Sequence, residues 1–149
     1  MREIILTLHI LAAMIWVGGM LFMVIVLSPY VRKLPNSVEL FQKVGKRFSI
    51  VGTFIGLPIL FITGIGNMHS LGVSFSDLHN RTSQYASLLH DKIHLFILTF
   101  LIAILHDLYF GPRADKSETH KKITRVLGVI NLFIGLVIVY MAAKLRFGG

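Results

Sequence analysis

Four apolar runs, free or nearly free of charge, alternate along the chain with short charged segments. The first, Ile4 to Tyr30, exceeds the roughly 20 residues that a helix needs to cross a hydrocarbon core about 30 Å thick. The second, Phe48 to Met68, carries Gly52 and Gly56 at a spacing that lets a neighbouring helix approach, and its Pro58 predicts a kink. The purely apolar part of the third, Leu95 to Leu105, is too short to span. That helix must therefore take in His90, Asp91, Lys92, His94, His106 and Asp107 at its ends. The fourth, Val126 to Ala143, is apolar except for Asn131, with Gly128 and Gly135 a heptad apart. The pattern predicts helices over about residues 4–28, 48–69, 88–110 and 124–144, forming one all-α domain over residues 1–149. The fold class expected is an integral membrane up-down four-helix bundle. Between the second and third spans, Ser70 to Ser87 is polar with Phe75, Leu78 and Tyr85 interspersed, which predicts a partly ordered cap.

Composition supports the membrane reading: 54% of the 149 residues are hydrophobic and 15% charged, against about 25% charged in soluble domains. The first run is too long for a signal peptide, and Ser28-Pro29-Tyr30 is a poor cleavage site, so it is expected to be structure. The charge of +8 changes the picture through its placement. Arg32, Lys33, Lys43, Lys46 and Arg47 precede the second span, and Arg113, Lys116, Lys121, Lys122 and Arg125 precede the fourth. The positive-inside rule puts both groups in the cytoplasm and both termini outside, in a bacterial or archaeal cytoplasmic membrane. Because these residues flank spans rather than cover one folded face, no nucleic-acid partner is expected. The partners expected are the lipid bilayer, a redox partner or quinone, and further copies of the chain as a homo-oligomer. The absence of cysteine removes disulfides, thiolate metal sites and iron–sulfur clusters, leaving imidazole with methionine in reserve as ligands.

Ionisable groups inside a span cost several kcal/mol, so the histidines there are the first candidates for function. His9 and His94 each lie about five or six residues inside a predicted helix, roughly 8 to 9 Å below the outer surface. Their helices are diagonal in an up-down bundle, with axes about 11 to 14 Å apart. A haem b with His9 and His94 as axial ligands to iron would fill that gap. On helix one, Ala13, Trp16, Met20 and Met23 share the face of His9, with Trp16 beside the porphyrin. His90 and His94, four apart, face nearly the same way and can chelate a metal, or His90 can bond a haem propionate. Lys92 is placed to meet a propionate or another anion, or to pair with Asp91. His69 and Met68, with His90, form an alternative shallow copper site. His79 and His120 read as solvated loop residues, and His106 with Asp107 as partners of Arg47 or Arg113, or as part of a proton or quinone site.

Leu8-His9-Ile10 with Trp16-Val17-Gly18-Gly19, Lys46-Arg47-Phe48-Ser49, Leu60 to Gly64 (LFITG) and Leu89-His90-Asp91-Lys92 together resemble the membrane module of the copper-resistance D (CopD) family. The same residues resemble its apparent relative, the HemJ-type protoporphyrinogen oxidase, and the resemblance covers nearly the whole chain. It implies a b-type haem protein in electron transfer, a copper-binding or copper-transport module, or a membrane oxidoreductase acting on a porphyrinogen. In the HemJ type, His9, His90 and Lys92 match positions associated with haem or porphyrin binding.

Overall fold

The computed structural model describes residues 1–148. Helix α1 spans Arg2–Val31, α2 Ser37–Ser70, α4 Gln84–Arg113 and α5 Glu118–Arg146. A short α3, Phe75–Asn80, lies in the connection between α2 and α4. No strand occurs among the described residues. Helix α1 packs along α2 and touches α5, while α4 packs along α5 and meets α2, so α1 and α4 are diagonal. Both termini and the α3 connection share one end of the bundle, and the two short basic connections share the other.

Every long helix outruns its apolar core. At 34 residues α2 is about 51 Å long, well beyond the roughly 30 Å of hydrocarbon. The additional turns come from Ser37–Phe48, which is amphipathic rather than apolar and starts with Glu39 in its first turn, where the helix dipole favours an acid. Lys43, Lys46 and Arg47 therefore project from a helix, not a loop, as do Lys121, Lys122 and Arg125 from the start of α5. A hydropathy run sees only the buried-in-lipid part of such a helix. His120 is likewise helical, its Nδ1 2.7 Å from the Ser117 hydroxyl that caps α5.

Pro58 does more than kink α2. Three of the four prolines, Pro29, Pro58 and Pro112, follow a π-helical stretch: Met23–Leu27, Ser49–Gly56 and Leu105–Phe110. Each proline's ring crowds the carbonyl four residues back, and it has no N–H to give. The preceding turn widens in response. The Ser28, Leu57 and Gly111 N–H groups donate to the carbonyls of Met23, Gly52 and His106, five residues earlier in each case. In lipid this keeps backbone groups bonded that a simple break would strand. In the connection between α2 and α4, the Ser74 side chain caps α3 and the Asp77 carboxylate bonds back to Ser74. That hydroxyl holds the Asp77 carboxyl below the usual carboxylate range, and Leu78 is buried beneath.

The core is narrow. Ala12, Trp16, Val17 and Met20 of α1 pack with Leu57 and Leu60 of α2 and Ala103 of α4. Large apolar side chains such as Ile62 and Phe133, both 68% exposed, cover the outside. An outward apolar surface with a small interior suits a bundle solvated by lipid. The chain is an all-α membrane bundle whose α1–α2 contact runs over glycines. The Phe48 ring lies where a Cβ on Gly19 would sit, and 3.1 Å from a Cβ on Gly52, while Trp16 is 3.4 Å from that second position. Gly19→Ala is expected to destabilise the bundle by about 1–3 kcal/mol through overpacking. The double variant Gly19→Ala/Phe48→Leu should recover part of the loss in a denaturation series in mild detergent; equal losses in single and double variants would refute the contact.

Candidate functional site

His9 projects from α1 onto α2. Its ring is half-buried, its Nδ1 lies 2.9 Å from Thr63 Oγ1, and its Cε1 is 3.5 Å from where a Cβ on Gly64 would lie. Small residues on α2 permit this approach. The Thr63 hydroxyl donates its one proton to the Ile59 carbonyl at 2.5 Å, so toward His9 it can only accept. His9 therefore carries hydrogen on Nδ1 and leaves the Nε2 lone pair free, the arrangement of a ligating imidazole held by a protein oxygen. Sequence patterning gave no sign of Thr63's part, since a threonine in an apolar helix most often bonds its own backbone.

Lys92 of α4 is the second member. It is half-buried, near enough for its charge to act on His9, and no carboxylate among the described residues pairs with it. The level explains the proximity. Counted from the first helical residues, Arg2 and Gln84, His9 lies seven positions along and Lys92 eight. His94 lies ten along, so relative to His9 it is about 4.5 Å deeper. Two residues also turn a helix by about 200°, so His94 leaves the Lys92 face and is exposed. The equal depth expected for His9 and His94 depended on helix starts that the structure moves outward by different amounts.

His94 donates from Nδ1 to the His90 carbonyl at 2.9 Å, and a carbonyl only accepts, so its Nε2 is free as well. His90 is held differently. Its ring centroid is 4.2 Å from that of His94, and its Nδ1 lies 3.0 Å from the Arg81 guanidinium and 3.3 Å from the Asp91 carboxylate. Arg81 also pairs with Asp91 at 3.0 Å, so Asp91 is not the partner of Lys92. Arg81 was not a sequence candidate; its role depends on a left-handed backbone, φ 49°, at the end of α3.

The shallow copper set is not assembled. Met68 is buried, and His69 is exposed with its ring 5.8 Å from that of Phe75. No group of three or more His, Asp or Glu that could enclose a metal occurs among the described residues. Trp16 is 2% exposed and wedged between Gly52 and Gly135, which makes it the centre of the core. At the basic end, His106 donates from Nδ1 to Asp107 at 2.6 Å instead of either residue pairing with Arg47 or Arg113. Arg113 turns to Tyr109, its guanidinium 4.3 Å from that ring and 2.9 Å from its carbonyl oxygen. Midway, the Thr99 hydroxyl donates to the Asn131 side chain, both buried.

A four-helix membrane bundle with an intramembrane imidazole beside an unpaired ammonium is the class that fold and site define. A family model described as copper resistance protein D matches residues 42–145. An uncharacterized protein of Aquifex aeolicus (strain VF5) is 40% identical over 149 residues, covering 99% of this chain and 97% of that protein. No solved structure matches. The chain belongs to the copper resistance protein D family and is an integral membrane protein.

If Thr63 sets the His9 tautomer, Thr63→Val should turn one dominant tautomer into a mixture. The 15N shifts of His9 in selectively labelled, detergent-solubilised protein read this directly, and an unchanged spectrum would show that Thr63 is a bystander.

Proposed function

We propose that this chain is a b-type haem-binding membrane protein that carries electrons near the end of the bundle where the termini lie. The observation that carries this reading is the pairing of a free His9 Nε2 with the unpaired Lys92 ammonium. A bare metal cation suits the imidazole but is repelled by the ammonium, whereas haem offers iron to the one and propionate to the other. Haem b supplies one-electron chemistry. His9 would hold the iron through Nε2, with Thr63 fixing the ring, and Lys92 would bind a propionate. His94, expected from the sequence as the second ligand, lies on the other face of α4, so His9 would be the one histidine holding the group. A redox partner reached through the lipid, such as a quinone, or a protein docking at that end would exchange the electron.

The reduced-minus-oxidised spectrum of protein purified in mild detergent with haem supplied during expression tests the reading. Wild type should show the Soret and reduced bands of haem. His9→Ala should lose the pigment, and His94→Ala should keep it. Lys92→Met should weaken retention by roughly tenfold, the scale of one charge-assisted bond of about 1.4 kcal/mol. Colourless wild type, or full haem content in His9→Ala, would overturn it.

A second reading, copper binding or transport, is favoured by the family's description and by the close His90 and His94 rings. His94 and His90 would then form the site once Arg81 releases His90, with His69 and Met68 recruited only by a rearrangement of the α3 connection. It predicts stoichiometric copper by metal analysis, no Soret band, and loss of the metal in His94→Ala with retention in His9→Ala.

A further inference from the structure

Three polar groups lie at heptad intervals along α4. Lys92, Thr99 and His106 are seven residues apart, which stacks them on one face at steps of about 10.5 Å. That face is turned inward throughout. Lys92 lies near His9 of α1, Thr99 bonds Asn131 of α5, and His106 Nε2 is 3.6 Å from where a Cβ on Gly128 of α5 would be. Asn131 lies one turn from Gly128, so α5 continues the same stripe. Polar groups in a span are costly and are concentrated where ions or protons pass. A single glue contact between α4 and α5 would need Thr99 and Asn131 alone. It gives no reason for titratable groups at both ends of the same face.

We propose that this stripe is a proton path between the two ends of the bundle, entered at the basic end through His106. Asp107, whose side chain is 8% exposed, accepts from His106 Nδ1 and so leaves Nε2 as the proton acceptor. A proton taken from the medium at Nε2 makes an imidazolium whose charge Asp107 balances, and the same Nε2 then releases it inward. The Thr99 hydroxyl and Asn131 amide orient the chain of water that spans each step, roughly three molecules at hydrogen-bond spacing. At the far end one proton passes to the medium at the end of the bundle that carries the termini, so each proton entering is matched by one leaving. Arg113 follows on the same helix and is held by Tyr109, while the start of α5 at the same end carries His120, near Phe110 and Tyr109, Lys121 bound to Glu118, and Arg125. The path does not depend on which group His9 holds.

The full-length protein in liposomes containing a trapped pH dye, with a potassium diffusion potential as driving force, tests it. Wild type is expected to pass protons at least tenfold faster than protein-free liposomes, and His106→Gln and Asn131→Leu should return the rate to the protein-free level. His120→Gln, at the same end but off the stripe, should conduct like wild type. Asn131→Asp, which puts a titratable group at the midpoint, should conduct at least as fast as wild type and guards against a merely misfolded Asn131→Leu. Wild-type flux equal to that of protein-free liposomes, or undiminished flux in His106→Gln, would overturn the path. Pigment and metal content, measured on the same preparations, report separately on His9 and its ligand.

Discussion

Lipid cannot hydrogen-bond, and nearly every feature of this bundle follows from that. Backbone groups freed by Pro29, Pro58 and Pro112 are recovered within the helix by i to i+5 bonds. Side-chain groups are recovered across helices: Thr63 takes the His9 proton and passes its own to Ile59, and Thr99 gives to Asn131. No fully buried side-chain nitrogen or oxygen among the described residues lacks a partner. Against that background the half-buried Lys92 ammonium, with no carboxylate partner among the described residues, is the exception that needs a functional account.

The bundle also shows how hydrogen-bond donors decide which histidines can serve as ligands. His9, His94 and His106 each give Nδ1–H to an oxygen, so each keeps a free Nε2. His90, a helical turn from His94, has its Nδ1 between the Arg81 guanidinium and the Asp91 carboxylate. Residue type and spacing treat the His90/His94 pair as a chelate. Their hydrogen-bond partners separate them.

How far the sequence is legible follows the same physics. Four spans, their order and their antiparallel packing rest on apolar runs of sufficient length, and those runs are present. Their ends are not legible, because Ser37–Phe48 and the first turns of α5 continue as charged or amphipathic helix where hydropathy falls away. That error spread to the site: residue levels counted from the wrong helix start put His94 opposite His9, whereas Lys92 has the matching level. The polar partners were the hardest to read. Thr63 and Arg81 are chosen by three-dimensional approach, across a glycine-lined contact in one case and from a left-handed turn in the other. Asn131 stood out as the one polar residue of its run, yet its partner Thr99 did not.

The same electrostatics bears on copper and haem. Like charges repel more strongly in a protein interior than in water, because the effective dielectric is about 20 rather than about 80. A cation at His9 would meet that repulsion from Lys92 with no anionic side chain to offset it, since Asp91 is held by Arg81. On the opposite face of α4 the balance is different. His94 is exposed, Asp91 is near His90, and a cation there would not face Lys92 across the interior. The turn of one helix thus divides the chemistry: the inner face suits a metal that brings its own negative charge, and the outer face suits a bare ion that displaces Arg81.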